Sequence, residues 1–207
     1  MDPITHTLVG ASLAETRLRH LTPLAAVTLI LGANAPDIDA IAMFLDRDTS
    51  LHIRRGWTHG VLGIAILPLI LAGLMVGFDY LRRMVGWGNA RPVVLRSLLI
   101  LAYLSVWSHP MLDWLNTYGI RLLMPFEDRW FYGDAIFIID PWIWLMAASA
   151  VVFAHTRSAT SVALWVVVAI ASSVFVLNSG LVPAGAKIVW SVSLGCLVGI
   201  RIWRGAQ

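Results

Sequence analysis

The sequence predicts an all-α protein, a polytopic bundle of transmembrane helices, and three observations carry that expectation. Of its 207 residues, 58% are hydrophobic and only 13% charged, far from the composition of a soluble globular domain. Apolar runs recur that are long enough to cross a bilayer core of about 30 Å, which takes about 20 helical residues. The basic residues, 14 Arg and a single Lys, fall mostly between those runs, as flanking residues of membrane proteins do. The net charge of +3 is therefore no argument for a nucleic-acid partner. Cys196 is the only cysteine and lies within an apolar run, so no internal disulfide can form and packing is its expected role. Residues 1–10 hold no Lys or Arg, so no cleaved leader is expected and the spans themselves would direct insertion.

Asp2-Pro3 reads as a helix start, with the carboxylate as N-cap and proline at the first helical position. His6 then falls in the second turn. A helix running to Leu18 is only about 16 to 22 Å long, too short to span, and is expected to be re-entrant or buried in the bundle. Residues 22–45 have the length of a span but are interrupted by Asn34-Ala35-Pro36-Asp37-Ile38-Asp39. Proline removes a backbone hydrogen bond, and the freed groups in a membrane must be met by protein, water or an ion. Residues 46–58 read as a polar loop carrying Arg47, Arg54 and Arg55. Spans are expected at 60–78, 97–115, 135–154, 161–177 and 187–203. This makes about five full spans plus the short N-terminal helix, divided into a metal-site domain at 1–158 and a C-terminal hairpin at 159–207.

The strongest basic cluster, Arg82, Arg83, Arg91 and Arg96 against one acid, lies in the loop 79–96. The positive-inside rule makes that loop cytoplasmic, together with His155, Arg157 and the C-terminus. It follows that the span at 97–115 runs outward and brings His109 and Asp113 near its outer end. His59 opens the preceding inward span, and Asp37 with Asp39 closes the outward stretch before that. Three of the four groups of candidate ligands thus meet at one face of the membrane. An acid at mid-membrane costs about 2.5 to 3.5 kcal/mol on insertion scales, and such residues face the interior and serve function.

His109 and Asp113, four apart, share one face of a helix and could grip one metal ion. We expect His6, Asp37, Asp39 and His59 to converge on the same centre, in a membrane-embedded metal-dependent hydrolase. Mixed imidazole and carboxylate donors suit Zn, with Mn or Fe as alternatives. Three His and three Asp are enough for one or two ions, with Asp37 or Asp39 as a bridge and as candidate catalytic carboxylates. Asp37 alternatively caps the helix fragment after Pro36. Arg54 and Arg55 precede His59 and either hold an anionic substrate through their planar forks or anchor to lipid headgroups. Arg55, one turn before His59 if that segment is helical, is the candidate for transition-state stabilisation. Asp134 reads as a helix cap or a partner of the ligands, and Asp140 as a hydrogen-bond partner of a ligand histidine. Trp57, Trp107, Trp114 and Trp130 read as an interfacial belt. The Thr-His-x-x-x-Gly pattern occurs twice, at Thr5–Gly10 and Thr58–Gly63.

Four segments, in order, resemble the YdjM-like family of bacterial inner-membrane proteins: Asp2-Pro3-Ile4-Thr5-His6, Ala35-Pro36-Asp37-Ile38-Asp39, Arg55-Gly56-Trp57-Thr58-His59 and Ser108-His109-Pro110-Met111-Leu112-Asp113. Asn116-Thr117-Tyr118-Gly119, Trp130-Phe131-Tyr132-Gly133-Asp134 and Ile139-Asp140-Pro141-Trp142 extend the likeness over about residues 1–145. The resemblance implies a membrane-bound metal-dependent hydrolase with ligands at His6, Asp37, Asp39, His59, His109 and Asp113. Two positions depart from the family pattern: Arg54 stands where a histidine is common, and Gly60 where serine is. The order of Asp, His and His-x-x-x-Asp is also similar to zinc-dependent phospholipases C, which implies a phosphoester of a lipid or lipid-linked molecule as substrate. A transporter or ion-conducting protein would use the same acids differently, strung from face to face rather than gathered at one.

Overall fold

In the computed structural model, which describes residues 1–87, 91–155 and 158–205, all regular structure is helical. Asn89, in the expected cytoplasmic loop, and Arg157 lie outside the described residues. The chain divides into two compact units, Met1–Ile139 and Asp140–Gln207.

The first unit holds α1 (Pro3–Ala14), α2 (Ala25–Asn34), α3 (Arg47–Ile53), α4 (Val61–Met84) and α5 (Leu95–Leu115). Helix α1 starts as its sequence demands: the Asp2 carboxylate accepts from the N–H groups of Ile4 and Thr5, both at 3.0 Å. It ends at Ala14, short of Leu18, and packs on α2 at Gly10, where a Cβ would stand only 2.7 Å from the Leu29 carbonyl oxygen. Helix α2 does not break at Pro36. It tightens into a 3₁₀ segment, Ala35–Phe44, with Pro36 in its first turn, and the two together form an apolar stretch of span length.

The expected polar loop at 46–58 contains the short helix α3, capped by the Asp46 carboxylate on the Thr49 N–H. Helix α4 runs six residues past the expected end at Phe78. Asp79 stabilises that extension, accepting from Arg82 Nε at 2.8 Å, Arg83 Nε at 3.0 Å and the Val93 N–H at 3.2 Å. Helix α5 is central: Leu98, Ala102 and Val106 pack on Leu71, Ala72 and Met75 of α4, while Leu101 meets Leu29 of α2 and Ala14 of α1. Gly32 admits α5 closely at Ser105, as small residues do between membrane helices.

The second unit contains α6 (Pro141–His155), α7 (Ala159–Asn178) and α8 (Ala184–Gly205). Trp190 is buried within it, set edge-on to Trp142 and donating to Ser173 Oγ at 3.1 Å. One expectation is corrected here. The span foreseen at 135–154 is a 15-residue helix, about 22 Å at the α-helical rise, because Ala135 and Ile136 are tied to the Leu115 carbonyl at the end of α5. Helix α6 packs with α7 and α8 in the compact unit that begins at Asp140. Among the described residues, five helices are long and apolar enough to cross a membrane, the Ala25–Phe44 stretch among them.

Candidate metal centre

One face of α5, the 3₁₀ segment and the turn before α4 meet at a buried cluster of Asp37, His59, His109 and Asp113. One donor atom from each lies within 4.8 Å of all the others. His109 and Asp113 come together because they are one helical turn apart, with His109 Nε2 3.4 Å from Asp113 Oδ2. His59 approaches from the turn, its Nε2 3.0 Å from His109 Nε2 and 3.2 Å from Asp113 Oδ2. Asp37 Oδ1 lies 3.5 Å from His109 Nε2 and its side chain, 14% exposed, is the least buried of the four.

The hydrogen bonds of the two histidines decide what their facing nitrogens can do. His109 Nδ1 lies 2.6 Å from the Ala33 carbonyl oxygen, which can only accept, so Nδ1 carries the proton. His59 Nδ1 faces the Asp39 carboxylate at 3.2 Å and donates to it in the same way. With each Nδ1 committed in this way, the two Nε2 atoms face one another at 3.0 Å, an approach that a shared cation between their lone pairs would satisfy. Burial pushes His59 down to about 4, which keeps the ring neutral at neutral pH.

His6 joins the centre from α1. Its ring stacks on His109 with centroids 3.6 Å apart, and Nε2 lies 3.4 Å from Asp113 Oδ1. Both ring nitrogens are buried without a hydrogen-bond partner among the described residues, and burial holds the ring well below the usual histidine range. Two nitrogen groups already gather on Asp113: the Met1 amino group, which burial pushes down to about 4, is paired with Oδ1, and Arg55 Nη1 lies 3.3 Å from Oδ2.

Asp39 stands behind His59, outside the cluster of four. Successive residues of a 3₁₀ helix are about 120° apart, so positions 37 and 39 cannot face one point. The Asp39 Oδ2 atom instead accepts from the Arg55 N–H at 2.7 Å and the Thr58 hydroxyl at 2.9 Å, besides His59. A carboxylate paired in this way with a histidine fixes the tautomer and orientation of the imidazole, as it does in metal sites.

Arg55 reaches the centre by a route other than the helical one expected. It sits in a turn with φ 54°, and its buried guanidinium rests over the Tyr118 ring at 4.5 Å and donates to the Gly119 carbonyl at 3.2 Å. Burial lowers it to about 10, so it stays charged at neutral pH. Arg54 is the C-cap of α3 and is partly buried, with no contact to the cluster described. Asp134 is exposed in the loop after α5, with φ 50°. Asp140 caps α6 of the second unit, accepting from the Trp142 and Ile143 N–H groups at 2.9 and 3.3 Å.

Three supporting residues were not anticipated as parts of the site. Thr58 holds Asp39. Asn116 donates from Nδ2 to Asp113 Oδ1 at 3.2 Å while its Oδ1 accepts from the Tyr118 and Gly119 N–H groups. Arg121 is buried and donates to the carbonyls of His52 and Arg54 at 2.5 and 2.9 Å, while its own N–H donates to the Arg55 carbonyl. It thereby pins the turn that carries Arg55. Its lone signal in the sequence is an arginine between Ile120 and Leu122, which snorkelling explains equally well.

Fold and site together define a multi-pass membrane protein with a buried histidine and aspartate cluster of metal-ligand type. Comparison with known proteins narrows the class. Residues 1–181 match the family described as YdjM inner membrane protein, and the chain belongs to that family. The uncharacterized protein YfhP of Bacillus subtilis (strain 168) is 23% identical over 166 residues, covering 73% of this chain and 45% of YfhP. The chain thus spans less than half the length of that relative. No solved structure matches it.

Proposed function

We propose that the protein is a metal-dependent hydrolase that cleaves a phosphoester of a lipid or lipid-linked substrate at the outer face of the inner membrane. The observation that carries this reading is the pair of histidine Nε2 atoms 3.0 Å apart with both Nδ1 atoms committed elsewhere. Asp37, His59, His109 and Asp113 would hold the ion, with His6 beside them, and the mixed nitrogen and oxygen donors favour zinc. When bound, such an ion supplies a Lewis acid and lowers the pKa of water at its open position.

The remaining chemistry belongs to the chain. Arg55 brings a charged guanidinium to the centre, and its Nε has no hydrogen-bond partner among the described residues, which leaves a donor for an anionic oxygen. Asp39 Oδ1 is likewise buried without a partner, and Asp37 is the most accessible carboxylate, so these two are available to take a proton. Exposed Ile38 and Ile41 flank Asp37 along the 3₁₀ segment, an apolar surround suited to a substrate that arrives from the bilayer.

Hydrolysis fits the arrangement better than conduction. The cluster sits at the C-terminal end of α5 and ahead of α4, whereas Asp79 and the arginines sit at the other ends of those helices. Leu71, Ala72, Met75, Leu98, Ala102 and Val106 fill the interval as a packed apolar core. With the arginine-rich end of α4 and α5 cytoplasmic by the positive-inside rule, the cluster opens to the outer face. The test is the metal content of the purified protein, wild type against Asp113→Ala, with turnover of phospholipids and simple phosphate esters. Metal in the wild type, lost in the variant and required for turnover, is the expected result. A metal-loaded protein inert to every phosphoester would exclude the substrate class.

A further inference from the structure

A groove of about 670 Å³ lies on the outward half of the α4 and α5 pair. Val61 and Ile64 form one wall, Trp107, Met111 and Trp114 the other, and Phe131 of the loop after α5 closes an end. The volume falls in the range of about 300 to 1,000 Å³ typical of small-molecule sites. Every lining side chain is apolar or aromatic, and the single hydroxyl, that of Tyr103, is already donated to the Ala65 carbonyl at 3.0 Å. The groove presents almost no polar surface, which suits a hydrocarbon occupant.

Its position connects it to the metal centre. The segment after α5 serves both: Asn116 and the Gly119 carbonyl hold Asp113 and Arg55, while Ile120 and Leu122 of the same segment line the groove. The Leu122 carbonyl also accepts from the Val61 N–H at 2.8 Å, two residues beyond His59, which joins the groove wall to the turn that carries a ligand. On α5, Pro110, Met111 and Trp114 face the groove and alternate with His109 and Asp113, which face the centre. We infer that the groove seats one acyl chain of the lipid whose phosphate head is presented to the metal centre, which rests on the hydrolase reading above for the fate of that head. Surrounding lipid tails are as apolar as the groove, so no hydrophobic driving force selects the chain. Selection comes from the fit of a chain between four aromatic rings and from the head held by Arg55.

The experiment uses the full chain in vesicles of phosphatidylethanolamine and phosphatidylglycerol, doped with phosphatidic acid carrying a photoreactive diazirine in one acyl chain. After illumination, cross-linked residues are mapped by mass spectrometry, with metal content measured on the same sample. The expected result is labelling concentrated on Ile64, Trp107 and Met111, and abolished by Ala65→Trp, which sets an indole among the lining residues, with metal content unchanged. Met111→Trp serves as a second blocking variant should Ala65→Trp fail to fold. Labelling that is equally strong at the lipid-facing Leu69, Ile70 and Leu74 of α4, or indifferent to both substitutions, overturns the inference. Groove labelling in a protein that holds no metal keeps the chain site and removes the hydrolase reading instead.

Discussion

Asp39→Asn separates an orienting carboxylate from a ligand. The amide keeps the size and one acceptor oxygen of Asp39 but removes its charge, while Oδ2 now serves the Arg55 N–H at 2.7 Å, the Thr58 hydroxyl at 2.9 Å and His59 Nδ1 at 3.2 Å. A hydrogen bond to a charged group contributes about 1.5 to 3 kcal/mol and a neutral one about 0.5 to 1.5, so each contact weakens by roughly 1 kcal/mol. Only the contact to His59 passes through a proposed metal ligand. The expected fall in metal affinity is therefore about 5- to 10-fold, at the low end of the range of about 10- to 100-fold seen when such outer partners are changed. Asp113→Ala removes an oxygen that lies 3.2 Å from His59 Nε2 and 3.4 Å from His109 Nε2 and should abolish binding. Metal content by mass spectrometry and chelator competition in detergent measure both. If Asp39→Asn loses metal as completely as Asp113→Ala, Asp39 is a ligand and the geometric reasoning is wrong; if it binds like wild type, His59 needs no orientation from it.

Arg55→Lys keeps the charge but loses the planar fork, and turnover of a phosphoester should fall about 10- to 100-fold, or roughly 1.4 to 2.7 kcal/mol, with metal content unchanged. Gly10→Ala forces a methyl against the Leu29 carbonyl and Ile30 Cα, at 2.7 and 2.8 Å, and should destabilise by about 1 to 3 kcal/mol in thermal melts. Gly73→Ala on α4, where a Cβ meets nothing within 4 Å, should raise stability by about 0.5 to 1 kcal/mol and serves as its control. Trp87→Cys in a chain whose native Cys196 is replaced by serine should resist an impermeant maleimide applied outside intact cells; labelling there would invert the topology.

Composition and apolar run length determined the fold class, because a bilayer leaves the backbone few ways to satisfy its hydrogen bonds and helices are the local one. The pairing of His109 with Asp113 was likewise local, one turn of α5, and the start of α1 was written in Asp2 and Pro3. What lay beyond the sequence was decided at long range. The span expected at 135–154 lost its first residues to hydrogen bonds with the end of α5, and the 3₁₀ geometry after Asn34 turned Asp37 and Asp39 to different partners. Arg55 meets Asn116 and Gly119 across more than sixty residues, from a left-handed turn that no helical register predicts. Arg121 looks like any interfacial arginine until the carbonyls of His52 and Arg54 are brought to its fork. Periodicity and capping act through neighbouring residues and can be read along the chain, whereas a buried charge is placed by whichever distant groups can satisfy it, and only the packed structure brings those together.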